Sequence, residues 1–247
     1  MPDDPARFRT TRWSAILVAA ESQIPGSHAA LAELCRLYWY PLYAFARRRG
    51  TGSHDAQDLT QGFFLHLLEN RALKRAHPLK GKFRSFLLTS FKNFASDEAA
   101  RARCQKRGGD REFVFLDSEE AENRYQLEPA DHLTAEKIFD ARWALTLLTH
   151  AVERLRREYV ARGEGPRFEV LKVFVGVEGG KNSPSYEEIS QSLRVSAGAA
   201  KTLIHRIRKR YTVILREEIG RTVSDPAAID PEIHALCEAL IDTEGRL

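Results

Sequence analysis

The sequence predicts an all-α fold: two helical domains joined by an acidic linker, followed by a C-terminal helical extension. Three observations carry this. Apolar residues recur at three- and four-residue spacing in almost every segment outside the loops, the period of a helix with one buried side. Helix-start chemistry stands in the right places, most clearly at Ser185 with Glu188. Between Asp117 and Glu136 lie seven acids and one base, Arg124, with Gly108-Gly109 before them and Pro129 among them, the composition of a tether. At 247 residues and 43% hydrophobic content the chain has length for two small domains and apolar residues for their cores. The boundaries expected are 1–107, a linker over 108–137, a second domain over 138–220, and an extension over 221–247.

In the first domain, Trp13, Ile16, Leu17 and Ala20 mark one helix, and Leu31, Leu34, Leu37, Tyr38 and Leu42 mark another over Ala29 to Arg49. Pro41 should kink or divide the second, which ends in the triplet Arg47 to Arg49 before Gly50. A helix then opens with Asp55 and Asp58 in its first turn, where the macrodipole favours acids, and buries Leu59, Phe63, Leu67 and Leu68. The basic loop Asn70 to Lys82 leads into a helix whose Phe83, Phe86, Leu87 and Phe94 share one face, leaving Phe91 on the flank.

The second domain begins with a long helical pattern from Thr134 to Arg162 and a short one from Phe168 to Val177. Pro184 to Ile214 then reads as a helix-turn-helix. Ser185 and Glu188 form a capping box, Leu193-Arg194-Val195 interrupts the pattern, and Ser196 caps the next helix. In that helix Ala200, Leu203, Ile204, Ile207, Tyr211 and Ile214 make the core side. Thr202, His205, Arg206 and Lys209 point away from it, with Lys201 and Arg208 at the flanks. Lys201, Arg206, Arg208, Lys209 and Arg210 precede the first acid, Glu217, a pattern suited to a groove lined by phosphates. The extension carries an amphipathic helix from Pro231, with Ile233, Leu236, Cys237, Leu240 and Ile241 apolar.

Composition argues against several other classes. Cys35, Cys104 and Cys237 are odd in number, far apart and without a CxxC pair, and the eight histidines never reach metal-ligand spacing, so reduced thiols and no metal or other cofactor are expected. Asp55 and Asp58 lack the histidine, lysine or third carboxylate that general acid-base catalysis needs, so no catalytic residues are assigned and no enzyme is expected. The charged N-terminal segment and the short apolar run Trp13 to Ala20 have neither signal-peptide flanks nor the length to cross a bilayer, which points to a cytoplasmic protein. A net charge of +4 is modest, so local clusters carry the argument about partners.

DAQDLTQGFFLHLLE at Asp55 to Glu69, with GKFRSFLLTSFKNFASDEAARAR at Gly81 to Arg103, resembles region 2 of bacterial RNA polymerase sigma factors of the extracytoplasmic-function (ECF) class. The helix-turn-helix at Pro184 to Ile214 resembles region 4 of the same family through SYEEIS, the short turn and Gly198 to Lys201, in the same chain order. Gly62, Ala199 and Leu203 depart from it, standing where the family commonly has Glu, Thr and a basic residue.

The resemblance implies a protein that binds core RNA polymerase and promoter DNA, with an anti-sigma factor as a further possible partner. It implies that Asp55, Asp58 and Gln61 meet polymerase, and that Lys80, Lys82, Arg84, Lys92 and Asn93 hold the displaced strand of the −10 element. It assigns Lys201, Thr202, His205, Arg206, Arg208 and Lys209 to the −35 duplex. The alternatives are a freestanding helix-turn-helix regulator that works without polymerase and, in a different class, a helical enzyme using Asp55 and Asp58.

Overall fold

A computed structural model describes residues 27–69, 82–104, 118–126, 133–176, 184–223 and 225–244. Among them the regular elements are all helical. They are α1 (Ser27–Arg48), α2 (Ser53–Glu69), α3 (Phe83–Cys104), α4 (Ser118–Gln126), α5 (Ala135–Ala161), α6 (Gly165–Leu171), α7 (Tyr186–Leu193), α8 (Ala197–Gly220) and α9 (Ile229–Glu244). Short 3-10 turns follow α6 and precede α9. The helix expected around Trp13 lies outside the described residues. No described helix is long and apolar enough to cross a membrane.

The chain divides into two compact units, Met1–Trp143 with Arg221–Leu247, and Ala144–Gly220. This differs from the expected boundaries in two ways. The first unit extends into α5, and the C-terminal extension is grouped with it rather than standing apart.

The first unit is built on α1. Pro41 does not divide this helix, which is continuous over its 22 residues. Proline removes one backbone hydrogen bond, but every residue from Leu37 to Ala46 is buried, and that packing holds the segment helical. Aromatic rings fill the space between α1, α2 and α3. Phe91, expected on the flank, is fully buried, with its ring edge-on to both Phe45 and Phe63, whereas Phe86 is only half-buried. A helix approached from several sides has no single apolar stripe, which is why a one-face reading misplaced it. Trp143 of α5 stacks on Tyr38 at 6.0 Å.

Within the expected linker, 118–126 form a docked helix, α4, and α5 already begins at Ala135. Ala121 of α4 is buried, and Glu122 accepts hydrogen bonds from Arg47 Nε at 3.0 Å, Arg47 Nη2 at 2.8 Å and the Tyr43 hydroxyl. Burial would raise the Glu122 pKa, but the bonds from Tyr43 and Arg47 outweigh it and hold the carboxyl below the usual range. The Arg47 guanidinium also lies 4.8 Å from the ring centre of Tyr125.

The second unit has one apolar core: Ala151, Leu155 and Tyr159 of α5, Phe168 and Leu171 of α6, Ile189 of α7, and Ala200, Ile204, Ile207 and Ile214 of α8. Around it, Glu158 receives Arg210 at 2.8 and 2.6 Å, and fully buried Glu218 receives Arg154 at 2.8 Å. These pairs hold α8 to α5 on a side the apolar stripe does not cover.

Candidate nucleic-acid interface

In the second unit the local chemistry of α7 and α8 is that of a rigid corner. Ser185 Oγ accepts the Glu188 N–H at 3.2 Å, and the Glu188 carboxylate accepts the Ser185 N–H at 2.7 Å. Two of the orphan amides at the start of α7 are thereby satisfied. Arg194 ends the helix in the left-handed region at φ 52°, and Val195 N–H donates to the Ser190 carbonyl at 2.9 Å. Ser196 Oγ then accepts the Ala199 N–H at 3.2 Å, which starts α8 with only Arg194, Val195 and Ser196 between it and α7.

With Ala200, Ile204, Ile207 and Ile214 turned into the core, the helical period forces the residues between them outward. Lys201, Thr202, His205, Arg206, Arg208 and Lys209 are all exposed. None of Lys201, His205, Arg206 and Lys209 takes part in an ion pair among the described residues. The Thr202 hydroxyl donates back to the Gly198 carbonyl at 2.9 Å. Arg208 is steadied by the Phe174 ring, 5.4 Å away, and by a 3.4 Å bond from its Nε to the Phe174 carbonyl. Arg210 is neutralised by Glu158, so the basic surface stops short of it. A side chain held along its stem keeps its charge available while losing less freedom on binding.

In the first unit, Asp55 and Asp58 stand exposed on α2, and Gln61 is half-buried. The Thr60 hydroxyl, fully buried, donates to the Ala56 carbonyl at 2.7 Å on the inner side of the same helix. The acids therefore sit on a firmly packed support and are open to a partner.

The residues expected to hold a displaced strand are not together on an open surface. Lys80 lies outside the described residues. Asn93 is exposed, whereas Lys92 Nζ donates to Glu136 at 2.6 Å, a bond that holds the Glu136 carboxyl below the usual range. Lys82 Nζ is 2.5 Å from the Glu232 carboxylate. Arg84, expected to hold the displaced strand, is buried. Its Nε donates to Glu232 at 2.6 Å, its Nη2 at 3.4 Å, and its Nη1 to Asp140. Burial alone would favour the neutral guanidine, but the two carboxylates more than reverse that and keep Arg84 charged.

Glu232, Asp140 and Glu136 are thus site-shaping residues that the sequence pattern did not single out. Glu232 is the least expected: it is fully buried on α9, whose Cys237 and Ile241, read as apolar-face residues, are exposed. The available signal was a surplus of acids in α9, five carboxylates in a helix of sixteen residues.

Comparison with known proteins bears on the first unit. No curated protein and no solved structure matches the chain. The family model described as sigma-70 region 2 matches residues 36–105, a stretch that takes in the later part of α1 and all of α2 and α3, including Asp55, Asp58, Gln61, Lys82, Arg84, Lys92 and Asn93. That stretch of the chain is similar to region 2 of the sigma-70 family of RNA polymerase subunits.

Proposed function

We propose that the chain is a sigma factor of the ECF class, which binds core RNA polymerase and directs promoter recognition and transcription initiation. The observation that carries this reading is the sigma-70 region 2 match over residues 36–105. The capped pair α7 and α8, with its outward bases, supports the second half of the reading, because it follows in the order expected of a region 4.

In this reading the exposed face of α2, with Asp55, Asp58 and Gln61, meets polymerase. Region 2 also holds the displaced strand of the −10 element, while α8 enters the major groove of the −35 duplex. Lys201 and Arg208 take phosphates, and Thr202, His205, Arg206 and Lys209 face base edges. The chain performs no reaction of its own; it supplies specificity to an enzyme, in the cytoplasm, and an anti-sigma factor would act by covering one of these faces.

The experiment is run-off transcription with purified core polymerase on genomic fragments. Discrete, promoter-dependent transcripts that need the chain are expected. DNA binding without polymerase association would sink the reading in favour of a freestanding regulator.

A further inference from the structure

Lys82 Nζ, Arg84 Nε and Arg84 Nη2 converge on one carboxylate, that of Glu232, at 2.5, 2.6 and 3.4 Å. Three donors around two oxygens is also the arrangement that receives a phosphodiester. We propose that Glu232 fills, in the free chain, the position at which Lys82 and Arg84 receive a phosphate of a single nucleic-acid strand, so that α9 and the strand bind there in alternation. This rests on reading the start of α3 as part of a strand-holding surface.

The way α9 is attached supports a displaceable element. Among its described side chains only Glu232 and Leu236 are buried, and Ile241 faces solvent. Polar ties also hold it to the rest of the first unit. Asp242 pairs with Lys137 at 2.8 Å, and just upstream the Thr222 carbonyl accepts the Phe83 N–H at 3.3 Å. A contact made through charges is exposed to competition from a polyanion, whereas one made by a broad apolar face is not.

Arg84 also tolerates the exchange. Asp140 remains bound to it when Glu232 leaves, and the guanidinium lies 5.5 Å from the centre of the Trp143 ring, so it keeps a partner and an orientation. Lys82 is the more open member, its side chain 37% exposed. A phosphate arriving from solvent meets Lys82 first, and Glu232 is then the group it replaces.

Two measurements on the full chain test this. In the unmodified protein, hydrogen exchange followed by mass spectrometry is compared with and without saturating oligothymidylate. Peptides covering 226–244 should lose protection when the strand is bound; unchanged or increased protection there overturns the proposal, as does a failure of oligothymidylate to bind at all. Next, Glu232→Gln is titrated with the same labelled strand by fluorescence anisotropy. It should bind about tenfold more tightly, within the usual range of coupling between competing sites, and adding Lys82→Gln should abolish the gain. A folded Glu232→Gln protein with wild-type affinity overturns the proposal; if that variant does not fold, the exchange experiment on the unmodified chain decides alone. Run-off transcription by the unmodified chain separates the two readings: its failure removes the sigma assignment while the exchange and anisotropy results still judge the alternation.

Discussion

Gly62 and Gly176 carry the same residue type for opposite reasons. Gly62 sits inside α2, where a Cβ would lie 3.4 Å from Cζ of Phe94, an ordinary contact with a ring edge. A methyl group fits there and glycine costs helix propensity, so Gly62→Ala should stabilise the first unit by about 0.5 to 1 kcal/mol. A raised urea midpoint with an unchanged slope would establish it. Gly176 has φ +76°, and its Cβ would lie 3.0 Å from Cγ2 of Val152. Gly176→Ala should therefore destabilise by about 1 to 2 kcal/mol, from left-handed backbone strain and the displaced valine. From sequence, Gly62 reads only as a departure from the family pattern, because its distance to Phe94 depends on how α2 and α3 pack. The burial of Arg84 was not legible for a related cause. Arginine is rarely buried, and the carboxylate that makes its burial tolerable lies 148 residues away.

Local chemistry made some elements legible and tertiary packing hid others. The capping box of α7, the break at Arg194 and the outward face of α8 all follow from residues within four positions of one another, and the structure has each of them. The continuity of α1 through Pro41 and the burial of Phe91 depend on neighbouring helices, which no helical period contains. Replacing Ser185 with Ala removes one side of the capping box and should cost the second unit about 1 kcal/mol, measurable as a lower thermal midpoint. The bond from Arg210 is the largest influence on Glu158, and with the nearby cations it outweighs burial and holds the carboxyl pKa below the usual range. A folded-state pKa below the unfolded value, which is about 4.3 for a glutamate, means that the pair's stabilisation is present above that pH and is lost as pH falls toward the folded value. Unfolding followed from pH 7 down to pH 3 should show this as an acid limb that Glu158→Gln flattens. An acid limb of unchanged slope in the variant would assign the loss to other carboxylates.

At the scale of the whole molecule, the proposed function requires two separate surfaces, each on its own unit: acids on α2 for polymerase and bases on α8 for duplex DNA. The order of these surfaces was legible in the chain; the assignment of the C-terminal extension to the first unit was not, because an amphipathic helix does not declare what it covers. Separate surfaces should fail separately. Asp58→Ala and Gln61→Ala should weaken binding to core polymerase by about tenfold or more, the effect of losing a contact worth about 1.4 kcal/mol or greater, with thermal midpoint and duplex affinity unchanged, since Asp58 is exposed and Gln61 is outside the buried core. On α8 the outward residues should divide further. Lys201→Ala should weaken binding to all duplexes alike and lower the salt slope by about one unit, as a lost phosphate contact does. Arg206→Ala and His205→Ala should shift the preferred −35 sequence by roughly 1 to 3 kcal/mol of discrimination at one position, with polymerase affinity intact. Promoter variants selected with each mutant holoenzyme would decide it. If Lys201→Ala changes the preferred sequence while Arg206→Ala and His205→Ala leave it unchanged, the helix enters the groove rotated from the orientation that its buried Ala200, Ile204 and Ile207 imply.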